Sequence, residues 1–392
     1  MRNATIERAL SEPQFAALVD ALAADPDRRE QLAELLREDH ALYNDRGAAT
    51  VVRMRGWVLL ALARVGVTDA ALIFVLEELD TGIDAYLVAC AARALRSYPH
   101  PDATLAPFVA RALANIRYRD EPVSLESYGE YVVSATGSSA VSELLATLAW
   151  LGPHARGVLP ELDALRAQSG LTRKLRLDLD RALQAIRGSA YGEGAATPAC
   201  CGGALADARS TSTFAPDSRR DCGPVRSIVL QDQDGRSITF ADFFCQRPSI
   251  VVFFYTRCDN PMKCSLTVTK LARVQKLLAA RRLADKIHSA AITYDPAFDL
   301  PERLRVYGQD RGVRMDADHR MLRAVEDNDA LRKHFELGVN FVESLVNRHR
   351  IEVYILDAEG RIAVSFARIH WDEADVVARA AAVLERDEFR FA

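Results

Sequence analysis

No stretch of this chain is apolar for long enough to cross a bilayer. A membrane helix needs about 18 consecutive apolar residues without charge, and the longest candidate, residues 57–62, is bounded by Arg55 and Arg64. The first ten residues carry Arg2 and Arg8 but no apolar run behind them, which is not the pattern of a secretory signal. With both patterns missing, the expected compartment is the cytoplasm. An excess of one charge is missing too. Lys and Arg total 50 against 54 Asp and Glu, a net charge of −4. Without a basic excess, no nucleic-acid or anionic-membrane partner is expected. Nor is there an even set of cysteines. Seven in a chain of 392 residues argue against a disulfide framework and for metal binding, catalysis or burial.

The length itself exceeds what one hydrophobic core supports, so two or three domains are expected. Through residues 1–188 apolar side chains recur at helical spacing, in segments 15–22, 52–65, 70–79, 87–95, 105–116, 141–151, 158–165 and 175–186. Gly66, Pro99, Pro101, Gly152, Pro153 and Gly170 break them. A weak repeat runs through this half, clearest where Leu148-Ala149-Trp150-Leu151 ends one helix and Gly152-Pro153 turns into the next. The pattern resembles HEAT repeats, with a period of roughly 33–50 residues as in an α-solenoid, whose units bury their faces only by stacking. A generic helical bundle is the alternative. Such a solenoid would offer a protein partner a docking surface.

Residues 189–223 change character. Gly, Ala, Ser, Thr and Pro dominate, as in a linker, yet the segment holds Cys200, Cys201 and Cys222. These thiols could capture a metal, resolve a disulfide with another pair, or be incidental. Residues 224–392 alternate strand and helix, as in an α/β domain with a mixed sheet. Strands are expected at 226–230, 237–240, 249–255, 288–294, 351–356 and 361–366. Helices are expected at 267–283, from Pro301 onward, at 324–335 and at 372–386. Cys90 and Cys245 read as core residues.

The chemistry concentrates in the stretch Phe253-Phe254-Tyr255-Thr256-Arg257-Cys258, which continues through Lys263 and Cys264. It follows a buried strand and precedes a long helix. A thiol at such a junction lies near a helix N-terminus, which favours the thiolate. Arg257 and Lys263 are expected to favour it further. Two thiolates in one loop can close a disulfide or clamp a soft ion such as Cu(I). Metal-independent dithiol oxidoreductase or peroxidase chemistry, with Cys258 attacking and Cys264 resolving, is an open alternative. So is a scaffold in which the α/β domain is a passive module. Asp295 reads either as a group orienting ligands or as the turn residue before Pro296.

The run Phe253 to Cys258 resembles the signature of the Sco (SenC) copper-chaperone family of the thioredoxin superfamily. So do Ile292-Thr293-Tyr294-Asp295-Pro296 and the helix opening at Pro301. The resemblance covers about residues 224–390. It implies a thioredoxin-like fold and copper held by Cys258, Cys264 and His349, with His349 just ahead of the strand at 351–356. It also implies copper delivery to oxidases or thiol reduction. Two departures stand out. Five residues separate the cysteines here, where the family commonly has three. The proline that usually follows a cysteine is replaced by Asp259 and Ser265. The family usually works outside the cytoplasm or tethered to a membrane, and neither signal is present.

Overall fold

Helix starts in the first half coincide with side chains able to accept a hydrogen bond from the exposed amides of the first turn. In this computed structural model, which describes residues 10–125, 138–168, 171–188, 222–342 and 345–391, Ser11 and Gln14 form a capping box on α1 (Glu12–Ala24). Thr68 caps α4 (Asp69–Thr81), Asp84 caps α5 (Ala85–Leu95), Ser139 caps α7 (Ala140–Leu151) and Thr172 caps α9 (Arg173–Arg187). The other helices of this half are α2 (Glu30–Glu34), α3 (Ala48–Val65), α6 (Ala106–Ile116) and α8 (Leu159–Arg166). Two residue pairs, β1 (Pro122–Val123) and β2 (Ser138–Ser139), form a short antiparallel ladder.

The chain divides into two compact units, Met1–Leu205 and Ala206–Ala392. Within the first, helices stack in two alternating rows. One row runs α1, α3, α5, α7, α9, each packed on the next, and the other runs α2, α4, α6 and the 3-10 segment Gly152–Val158. Between the rows lies a buried charge cluster. The Arg55 guanidinium is 3.2 Å from Glu38 and 3.0 Å from Glu78, and it donates to the Leu36 carbonyl. It therefore ties α3 to the α2–α3 connection and to α4. Among the described residues, no helix is long and apolar enough to cross a membrane.

The second unit holds a seven-stranded mixed sheet in the order β11-β10-β5-β6-β7-β3-β4. Its strands are β3 (Val229–Asp232), β4 (Ser237–Thr239), β5 (Ser249–Phe254), β6 (His288–Thr293), β7 (His319–Ala324), β10 (Glu352–Leu356) and β11 (Ile362–Ala367). The parallel strands β5, β6 and β7 lie at its centre, and the other pairings are antiparallel. Every residue of β5 and β6 is buried, as a strand covered on both faces requires. The helices are α10 (Phe240–Phe244), α11 (Leu266–Ala280), α12 (Pro301–Asp310), α13 (Asn328–Phe335) and α14 (Glu373–Phe391). Adjacent β5 side chains point to opposite faces. Phe254 stacks on Tyr307 of α12, while Phe253 meets Phe335 of α13. The sheet is thus covered on both sides, as in a thioredoxin-like domain.

The structure corrects parts of the sequence expectation. The helix expected over 324–335 begins only at Asn328, after Asp327 in a left-handed conformation with φ 52°. Residues ahead of it form β7, which runs between β6 and β3. His-Arg-Met-Leu-Arg-Ala has no β-branched residue, so pairing on both edges, rather than propensity, makes it a strand. A separate hairpin, β8 (Val339–Val342) with β9 (Leu345–His349), also went unpredicted.

Replacing Arg55 with Ala removes the guanidinium that two buried carboxylates share. The expected loss is about 3–5 kcal/mol from the helical unit, read as a lower midpoint of its unfolding transition by circular dichroism. A change of under about 1 kcal/mol would show that the cluster does not hold the two rows together.

Candidate metal centre

The end of β5 leads directly into the site. After Phe254 the chain passes Cys258 and enters a single π-helical turn, Pro261–Ser265, before α11 begins. Asn260 opens this turn, its side chain accepting from the Met262 amide at 2.9 Å. Pro261 sits at the first position, where a missing N–H costs nothing. The widened turn rolls Cys264 inward until it is 1% exposed. Cys258 stays half-buried at the rim.

His349 comes from much later in the chain, as the last residue of β9. Its Nε2 lies 3.4 Å from the Cys258 sulfur and 3.3 Å from the Cys264 sulfur. The three candidate ligand atoms all lie within 4.8 Å of one another. Among the described residues this is the one group of three or more His, Cys, Asp or Glu side chains placed to share an ion. On the other side of the ring, Nδ1 is 3.0 Å from the Arg350 carbonyl. A carbonyl only accepts, so Nδ1 carries a hydrogen. In the neutral ring this leaves the Nε2 lone pair facing the sulfurs, the arrangement that a metal-binding imidazole takes.

Side chains that the sequence reading did not assign to this histidine hold it in place. Lys263, buried between the two cysteines, donates from Nζ to the His349 carbonyl at 2.6 Å. The rings of Tyr255 and Tyr294 flank the imidazole, each with its centroid 5.4 Å away. Behind it, Glu352 accepts from Tyr294 at 2.6 Å, from Arg350 Nε at 2.7 Å and from the Gly338 amide at 2.7 Å. Gly338 is required here, because a Cβ would come within 2.6 Å of the Arg350 side chain. A signal for this network was visible in the sequence: Glu352 opens an otherwise apolar strand, and a carboxylate inside such a strand needs partners.

The two thiols have opposite character. Cys258 is drawn down to about 3, chiefly by the hydrogen bond from Cys264 and, against the cost of burial, by His349 in its protonated form, in which Nε2 also carries a hydrogen and the ring a charge. Burial pushes Cys264 well above the ordinary thiol range, and the neighbouring Cys258 pushes it further. Lys263 does lower Cys264 through its charge, as expected, while Arg257 has partners of its own. Its guanidinium pairs with Asp295 and lies 4.0 Å from the centroid of the Phe298 ring. Lys263 is directed at a carbonyl. Asp295 serves both as partner of Arg257 and as turn residue, its carbonyl accepting from the Asp299 amide at 2.9 Å.

Of the other cysteines, Cys90 is fully buried, as expected. Cys200 and Cys201 lie outside the described residues. Cys222 is buried in the second unit, 3.8 Å from the half-buried Cys245.

An α/β domain of this topology, with two cysteines at a strand–helix junction and a facing histidine, defines a thioredoxin-like class with a metal-capable site. Residues 225–385 match the family model described as SCO1/SenC. No curated protein matches the chain. Solved structures similar to it include a SCO1/SenC family lipoprotein from Bacillus anthracis, with 20% identity, a TM-score of 0.35, and coverage of 40% of this chain and 91% of that one. ScoI from Arabidopsis thaliana with copper bound has 17% identity, a TM-score of 0.34, and coverage of 41% and 96%. Yeast Sco1 with copper bound has 23% identity, a TM-score of 0.32, and coverage of 40% and 84%.

The asymmetry of the thiols has a direct readout. An ordinary thiol, with a pKa near 8.5, loses about tenfold in reactivity for each pH unit below that value. Cys258 is thiolate at any pH above its lowered value, so its alkylation by iodoacetamide in the reduced, metal-free protein should stay nearly flat from about pH 8 to pH 5. In Cys264→Ala the hydrogen bond that most supports the thiolate is gone, and the rate at the acid end should fall below that of the wild type. A Cys258 profile like that of a free thiol in the wild type would refute this reading.

Proposed function

We propose that the C-terminal domain binds one copper ion through the sulfurs of Cys258 and Cys264 and Nε2 of His349. The observation that carries this reading is the convergence of those three atoms within 4.8 Å in a largely buried pocket. Two soft thiolates and an imidazole form a donor set that favours Cu(I) over harder ions. Burial limits competition from water. The Nδ1–H of His349, held by the Arg350 carbonyl, keeps the ring turned to the sulfurs. Copper in such a site supplies one-electron redox chemistry or is carried as cargo. Cys264 must give up its proton to serve as ligand, so binding should weaken as pH falls.

A second reading is favoured by the split between the thiols. A lowered, half-exposed Cys258 beside a raised, buried Cys264 is the pairing expected of an attacking and a resolving cysteine in dithiol–disulfide exchange. Under that reading His349 positions and polarises Cys258 without serving a metal.

The N-terminal unit is read as a HEAT-like solenoid that docks a protein partner. The two alternating rows of helices support it, each helix packing on the next member of its own row. Stacks of this kind present extended surfaces.

An anaerobic Cu(I) titration against a competing chelator separates the two readings of the site. Tight one-to-one binding is expected in the wild type. It should be abolished in Cys258→Ser/Cys264→Ser and weakened by about 10–100-fold or more in His349→Ala, the scale on which losing a supporting group already lowers metal affinity. Binding that survives loss of the cysteine pair would eliminate the copper reading. Failure to bind, with disulfide formation intact in His349→Ala, would leave the dithiol reading.

A further inference from the structure

A second thiol pair lies at the opposite end of β5 from the candidate metal centre. Cys222 immediately precedes the 3-10 turn Gly223–Val225, and Cys245 follows the last residue of α10. Their sulfurs are 3.8 Å apart, and neither is bonded to another cysteine. Cys222 belongs to the hydrophobic core of the domain, and Cys245 packs against that core. The Cys222 thiol donates to the Glu359 carbonyl at 3.1 Å, which holds it over the turn between β10 and β11. Gly360 in that turn leaves room for the pair. Its φ is 78°, and a Cβ there would come within 2.8 Å of the Cys245 sulfur.

We propose that Cys222 and Cys245 form a redox-controlled disulfide clasp, separate from the candidate metal centre. Bonded sulfurs lie about 2.05 Å apart, so the pair must close by roughly 2 Å, within the range of side-chain rotation. The six residues of β5 stand between this pair and Cys258, about 20 Å of extended chain. The clasp therefore exchanges electrons with an outside partner rather than with the Cys258–Cys264 pair. The oxidant is a disulfide compound. The partly exposed Cys245 attacks it as thiolate, breaking the oxidant's S–S bond and releasing one thiol. Cys222 then attacks the Cys245 sulfur of the mixed disulfide and releases the second thiol. Two electrons and the two thiol protons of the pair end on the two released thiols. Burial and the neighbouring Cys222 push Cys245 up to about 12, so exchange should quicken as pH rises.

The clasp would fasten the segment at Cys222 to the end of α10. Reduction would release it.

The test is oxidation of the full chain, wild type and Cys258→Ser/Cys264→Ser, with oxidised glutathione. Free thiols are then alkylated and peptides mapped without reduction. A Cys222–Cys245 cross-linked peptide is expected in both proteins. In the variant the thermal midpoint of the C-terminal domain should rise by about 5 °C or more on oxidation, and adding Cys222→Ser should remove that rise. Recovery of Cys222 and Cys245 as alkylated or glutathione-bearing residues overturns the proposal. So does a disulfide from Cys222 to Cys200 or Cys201, or an equal midpoint in both redox states.

Discussion

The imidazole of His349 is the contact on which the candidate site depends. It brings together a loop at the end of β5 and a hairpin that begins more than eighty residues later. Its position is fixed at several points, by the Arg350 carbonyl on one ring nitrogen, by Lys263 on its own carbonyl, and by contacts with two tyrosine rings. The ring cannot swing out to water without breaking its Nδ1–H bond to the Arg350 carbonyl, and the Lys263 bond fixes the backbone from which it extends. The opposed character of the two thiols follows from this placement, since the imidazole and the second sulfur share the stabilisation of Cys258.

Both units pair buried charge in a similar manner. In the helical unit Arg55 is surrounded by Glu38 and Glu78, while in the α/β domain Glu352 gathers Arg350, Tyr294 and a backbone amide. Such groups add little net stability over apolar substitutes of the same shape, but each is costly to break once present. Their effect is to exclude alternative packings. Around Glu352 that effect has a functional consequence, because the network fixes the two residues on either side of Ile351 and thereby the strand end that carries His349.

Much of this architecture was legible in the residues themselves. The buried run at 249–255, the helix after Cys264, the Pro301 start and the hairpin around Gly360 all carry local signals: continuous apolar character, helical period, a favoured N-terminal proline and a turn glycine. The pairing of Cys258 with Cys264 was legible for the same reason, since both lie in one short loop. Strand β7 and the β8–β9 hairpin were not. Their sequences are rich in Arg, His and Asn, and they become strands because neighbouring backbone offers them partners. The partners of Arg257 were not legible either, because Asp295 and Phe298, which engage its guanidinium, lie about forty residues further along the chain.

The sequence by itself determined which segments could become strand or helix and which residue types could hold a soft ion, because these depend on spacing and side-chain chemistry along a few neighbouring positions. Only the tertiary structure decided that His349 faces both sulfurs, that Lys263 grips a backbone carbonyl, and that Cys222 meets Cys245. Each of these joins segments far apart in the chain, and which distant groups meet is settled by the packing of the whole sheet and its helices.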